Sequence, residues 1–96
     1  MKIYMDVMSI ELKAELVAVA KEHSRQVEKW GMQDRSLFEW LTYLTEEVGE
    51  LAEAISEHEY RNGDMLEISK EAIQVAALAT RISAIIKQNS VEREVK

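Results

Sequence analysis

LTEEVGELAEAISEHEYRNGDMLEISKEAIQVAALATRI, residues 44–82, decides the fold. Leu44, Val48, Leu51 and Ile55 recur at three- and four-residue steps, the repeat of one helix face. Leu37 and Leu41 extend that stripe upstream. Asn62-Gly63 is a left-handed stop signal, and Asp64 with Glu67 three residues on reads as the cap of a new helix. That helix is expected over about 65–88, its stripe carried by Ile68, Val75, Leu78, Ile82 and Ile86. At 1.5 Å per residue each of these helices spans roughly 35 Å. A turn as short as Asn62-Gly63 folds them into an antiparallel hairpin.

Upstream, Leu12, Leu16, Val19, Val27 and Trp30 keep helical spacing from about Ser9, broken by a polar gap around His23. Gly31 stands where a helix commonly ends, GMQDRS (31–36) reads as a loop, and Ser36 with Glu39 forms a capping box. MKIYMDV alternates weakly and is compatible with an extended, frayed or first-turn segment, and NSVEREVK with a loose or partly helical tail. The expectation is one all-α domain over 1–96: a small helical bundle of three helices, two of them long and antiparallel, completed by oligomerisation. Three helices leave one side of the hairpin thinly covered, and a second copy would supply the missing layer.

Composition narrows the function. With 96 residues one domain is the default. The absence of cysteine removes disulfides, thiolate metal sites and cysteine nucleophiles. Proline is absent and there are only 3 glycines, which favours uninterrupted helices. The N-terminus lacks the pattern of a signal peptide and no apolar run approaches the roughly 20 residues that span a bilayer, so a cytoplasmic protein without membrane partners is expected. A net charge of -6 with no basic stripe argues against a stable nucleic-acid complex.

The glutamates carry the chemistry. Glu47 borders the apolar stripe and Glu50 lies beside it one turn on, while Glu46 points further towards solvent and Glu53 and Glu57 outwards. Glu71 falls in the middle of the next helix's stripe, with Gln74 one turn on. A carboxylate facing a core needs a partner or a proton. One reading pairs Glu71 with Lys29, Lys70, Arg25 or Arg81. The other is a metal site: the hairpin brings Glu47 and Glu50 opposite Glu71 and Gln74, an oxygen-only set suited to Mg²⁺ or Mn²⁺. Such a cation bridges carboxylates to phosphate oxygens, which suits polyphosphate chemistry.

EEVGELAEAI (46–55), KEAIQVAALA (70–79) and the upstream RQVEKWG (25–31) together resemble the MazG-like all-α nucleoside triphosphate pyrophosphatases of the MazG and dimeric dUTPase superfamily. Their pattern is Glu-Glu-x-x-Glu on one helix and Glu-x-x-Asp on the next, and the likeness covers roughly residues 22–86. It implies Mg²⁺-dependent hydrolysis of NTPs or dNTPs to monophosphate and pyrophosphate, by a homodimer or homotetramer. It implies Glu47, Glu50 and Glu71 as metal ligands, with Glu46 aiding the metal or the attacking water. Gln74 stands where the family has aspartate. Its carbonyl can still ligate a cation, but it brings no charge and cannot act as a carboxylate base; retained but modest activity is expected.

Lys29 and Trp30 are candidates for phosphate and base, or for a helix-end cation and core closure. Lys70 and Arg61 are candidates for a phosphate tail or for surface pairing. Trp40 and Tyr43 flank the acidic ridge as interface or pocket wall. His23 and His58 read as border residues. The competing functions are a non-catalytic helical adaptor or regulatory dimer, and a divalent-metal sensor.

Overall fold

The computed structural model describes the backbone of residues 2–31 and 35–95 and the side chains of 9–31 and 35–90. The described residues form three helices and no strand: α1 (Lys2–Trp30), α2 (Leu37–Arg61) and α3 (Met65–Val95). The protein is therefore all-α, as its spacing requires. Two boundaries differ from the sequence expectation. α1 starts at Lys2 rather than near Ser9, and α3 continues through 89–95. No proline or glycine interrupts either segment, so helix propagation, which adds one hydrogen bond per residue, carries through. All three helices are long, at 29, 25 and 31 residues.

The punctuation works as read. Gly31 takes φ 74° and donates its N–H to Val27 O at 2.6 Å, closing α1. The loop expected at 31–36 falls partly on 32–34, outside the described residues. Ser36 Oγ accepts from Glu39 N and the Glu39 carboxylate accepts from Ser36 N, each at 3.1 Å. Asn62 rather than Gly63 adopts the left-handed conformation, at φ 59°. Gly63 serves by its lack of a side chain, since a Cβ there would lie 3.0 Å from the carbonyl carbon of Glu57. His58 Nδ1 lies 3.0 Å from Gly63 O and ties the turn to α2. Asp64 Oδ1 accepts from Leu66 N at 2.9 Å and starts α3.

α3 is the spine. α2 packs along one side of it and α1 along another, while α1 and α2 make no close backbone approach among the described residues. An open cleft results, walled by α1 and α2 and floored by α3. The core is correspondingly small: Trp40, Ala77 and Leu78 are its buried apolar residues, at 3%, 0% and 5% exposure. Much of the α2 stripe, including Leu37, Leu41, Val48 and Ile55, stays exposed in the single chain. The radius of gyration is 16.4 Å. A compact globule of this length has about 12.5 Å. The accessible surface is 7743 Å². A compact monomer of this mass exposes about 5,650 Å². No helix among the described residues is long and apolar enough to cross a membrane.

Candidate metal centre and adjoining cleft

Each helix offers one face to the site. On α2 the face is Trp40, Tyr43, Glu47 and Glu50; on α3 it is Glu67, Glu71, Gln74, Leu78 and Arg81; on α1 it is Glu22, Gln26 and Trp30. These are steps of three and four residues, so each set shares one side of its helix. The hairpin register set by Asn62-Gly63-Asp64 brings the acidic parts of α2 and α3 together. Glu47, Glu50 and Glu71 each place a carboxylate oxygen within 4.8 Å of those of the other two. Gln74 reaches the same spot, its amide head 3.0 Å from Glu71 Oε2 and 3.3 Å from Glu47 Oε2. With the Nε2 turned inward it donates to both carboxylates; with the carbonyl turned inward it adds a fourth oxygen ligand.

The electrostatics match the geometry. Burial first, then the charges of Glu50 and Glu71, with Glu22 and Glu46 adding, hold the Glu47 carboxyl above the ordinary glutamate range. Burial and Glu50 likewise raise Glu71, with Lys70 opposing. The ion-pair reading of Glu71 fails among the described residues. Lys70 Nζ lies 3.9 Å from Glu67, Arg25 is bonded to Glu22, Lys29 lies over the Trp30 ring at 4.7 Å and Arg81 has no carboxylate partner. Among the described residues the triad is a concentration of negative charge with no cation paired to it.

The other candidates separate. Glu46 is exposed and lines the cleft beside Glu47. Trp30, half-exposed, lines it from α1, and Lys29 sits against the Trp30 ring. Lys70 is exposed next to Glu71, where its charge opposes the rise of Glu71 and adds to the lowering of Glu22. Arg61 is engaged by Glu57 at 2.8 Å and does not face the triad. Glu57, expected to point outwards, is half-buried as well as paired with Arg61. Trp40 is buried and forms a cleft wall with Tyr43.

Three contributors were not legible as site residues in the sequence. Glu22 acts on Glu47 from α1 while its own carboxyl is held below the ordinary range by Arg25, at 2.6 Å. It also accepts from Gln26 Nε2 at 3.1 Å. Gln26 and Arg35 line the cleft, and Arg35 donates to Tyr43 Oη at 2.7 Å. For Glu22 and Gln26 the signal was present as four-residue steps leading to Trp30, across what reads as a polar gap in the α1 stripe. The cleft has a volume of about 350 Å³ and opens next to the triad, with Glu47 belonging to both.

No protein-family model matches the chain, and neither does any curated protein or solved structure. What is established is therefore an all-α protein whose carboxylate cluster is able in principle to coordinate a divalent cation.

Proposed function

We propose that this chain is a divalent-metal-dependent nucleoside triphosphate pyrophosphohydrolase. The observation that carries the reading is the convergence of Glu47, Glu50 and Glu71 within 4.8 Å at the edge of an aromatic-walled cleft. The donor set fits a hard cation. Oxygens around Mg²⁺ at about 2.1 Å lie about 3 Å apart when adjacent and about 4.2 Å apart when opposite. Glu50 is exposed, so its side chain is free to swing inward and close the set to these separations. Mn²⁺ fits by the same chemistry. A cation bound there would neutralise polyphosphate charge and acidify a water.

The chain's own residues divide the remaining work. Glu47, Glu50 and Glu71 would hold the cation, with the Gln74 carbonyl oxygen as a fourth ligand if its amide turns inward by that end. Glu46, exposed beside Glu47, takes the proton from an attacking water. Water adds at the α-phosphorus, the α–β anhydride bond breaks, and pyrophosphate leaves with the monophosphate as the other product. Lys29, beside Trp30, and Lys70, next to Glu71, would meet the phosphates, and Trp30 the nucleoside. A regulatory or metal-sensing dimer is the second reading. It is favoured by the amide at position 74 and by the exposed α2 stripe.

Product analysis separates the two. The purified protein is incubated with each NTP and dNTP, with and without Mg²⁺, beside a Glu50→Gln variant. Metal-dependent release of monophosphate plus pyrophosphate, lost in the variant, is the expected outcome. Cation binding without turnover at high enzyme concentration assigns the regulatory reading instead. We also propose a homodimer or homotetramer, supported by an exposed surface about 2,000 Å² above that of a compact monomer. Sedimentation equilibrium giving only an 11.1 kDa species would reject it.

A further inference from the structure

Arg81 is only 7% exposed, yet its Nε and Nη1 have no hydrogen-bond partner among the described residues. Its guanidinium lies over the Trp40 ring at 5.1 Å, and the nearby Arg35 adds a like charge instead of relief. A buried guanidinium does not deprotonate and has no acceptor of its own. It needs an oxygen. Gln26, 5% exposed, has the complementary deficit. Its Nε2 is committed to Glu22, and Glu22 is itself locked by Arg25, so the orientation of the amide is set. Its Oε1 is left without a donor. Both side chains line the same cleft, between Trp30 on one helix and Trp40 and Tyr43 on another. Two unpartnered buried groups of opposite hydrogen-bonding sense, set among aromatic faces, define a planar ligand that accepts and donates along one edge.

We propose that this cleft takes the nucleobase and that Arg81 and Gln26 select it. Arg81 donates to a ring carbonyl and Gln26 Oε1 accepts from the adjoining ring N–H, so the site favours lactam bases (guanine, hypoxanthine, uracil, thymine) over adenine and cytosine. The proposal rests on the nucleotide reading for its ligand class but uses none of the triad. In one orientation a lactam meets both groups, whereas adenine and cytosine present the reverse edge, an amino donor towards Arg81 and a ring acceptor towards Gln26 Oε1. Adenine has no carbonyl, and cytosine has no ring N–H beside its carbonyl. Stacking on the aromatic walls adds affinity without discriminating among bases. A wrong edge leaves a buried charge and a buried carbonyl unpaired, which predicts at least about tenfold weaker binding.

The chain has only two tryptophans, and both line the cleft, so their indole N–H signals report on it specifically. The ¹⁵N-labelled full chain is titrated with guanosine, inosine, uridine, cytidine and adenosine, in EDTA and without phosphate groups. Shifts of both indole signals with guanosine, inosine and uridine, saturating at least about tenfold earlier than with adenosine or cytidine, are expected. Arg81→Gln and Gln26→Leu should each erase that preference. Gln26→Leu, together with the base comparison on the unaltered chain, decides the matter if Arg81→Gln does not fold. Indole signals unmoved by every nucleoside, equal affinity for all five, or the same shifts produced by inorganic phosphate would each overturn the assignment. Because no divalent cation is present, nucleoside binding without Mg²⁺-dependent turnover rejects only the pyrophosphohydrolase reading, and turnover without base preference rejects only this one.

Discussion

Replacing Glu71 by glutamine tests whether the triad is stored repulsion awaiting a cation. The substitution keeps the shape and removes one of three charges whose oxygens lie within 4.8 Å of one another. At 4.8 Å two unit charges repel by about 0.9 kcal/mol in bulk water and about 3.5 kcal/mol at an effective dielectric of about 20. Glu50 is exposed and Glu47 and Glu71 are half-buried, so the lower end applies, about 1 kcal/mol per pair. Glu71→Gln removes its repulsion with both Glu47 and Glu50. The metal-free variant should therefore be more stable than the parent by about 1–2 kcal/mol at pH 8, a rise in Tm of at least about 4 °C. In Mg²⁺ the order reverses in one respect. Cation at a hundred times its Kd adds about 2.7 kcal/mol to the parent, and the variant should lose most of that gain. Thermal unfolding followed by circular dichroism, with EDTA and with a Mg²⁺ series, reads both effects. A metal-free variant less stable than the parent would show that Glu71 has a favourable partner. An unchanged Mg²⁺ response would show that Glu71 is not a ligand. Either result refutes the reasoning.

Other expectations follow from the same geometry. Gln74→Asp adds a fourth charge, so calorimetry should show tighter Mg²⁺ binding and metal-free melting should show a lower Tm; unchanged calorimetry places residue 74 outside the coordination sphere. The metal-free protein should lose stability as pH rises from about 4.5. Glu47 and Glu71 have folded pKa values above their unfolded ones, so the folded state binds more protons in that window, and the stability present below the unfolded pKa is lost as pH passes the folded pKa. Glu22 opposes this trend, since its lowered pKa contributes stability above the unfolded value; Glu47→Gln with Glu71→Gln should therefore flatten or reverse the slope of Tm against pH. Gly63→Ala forces a methyl to 3.0 Å from backbone and side-chain carbons of Glu57 and should cost about 1–3 kcal/mol in denaturant unfolding. A neutral result there would mean that the turn yields without penalty.

The helices were readable because their determinants are local. Ser36 with Glu39, Gly31, Asn62 and Asp64 each act within a few residues of their own position, and each ends or starts a helix as its chemistry requires. Lys2–Val7 and 89–95 were under-read because weak alternation and polarity do not stop a helix that meets no breaker. Glu47, Glu50 and Glu71 were legible for a related reason: a short turn between two periodic helices fixes their register, and charged residues inside an apolar stripe stand out. The partners of Glu71 were not legible. Sequence leaves Lys29, Lys70, Arg25 and Arg81 equally eligible, and only the packing sends each elsewhere.

From sequence alone came the all-α class, the three helices, the hairpin and the acidic triad, since all depend on separations within one helix or across one short turn. The position of α1 required the tertiary structure. Its place on α3 is decided by long-range packing. That placement opens the cleft, brings Glu22 to bear on Glu47, and leaves Gln26 Oε1 and the Nε and Nη1 of Arg81 buried without partners in one cleft. Periodicity says which side of a helix a residue occupies; only the assembled helices say what stands opposite.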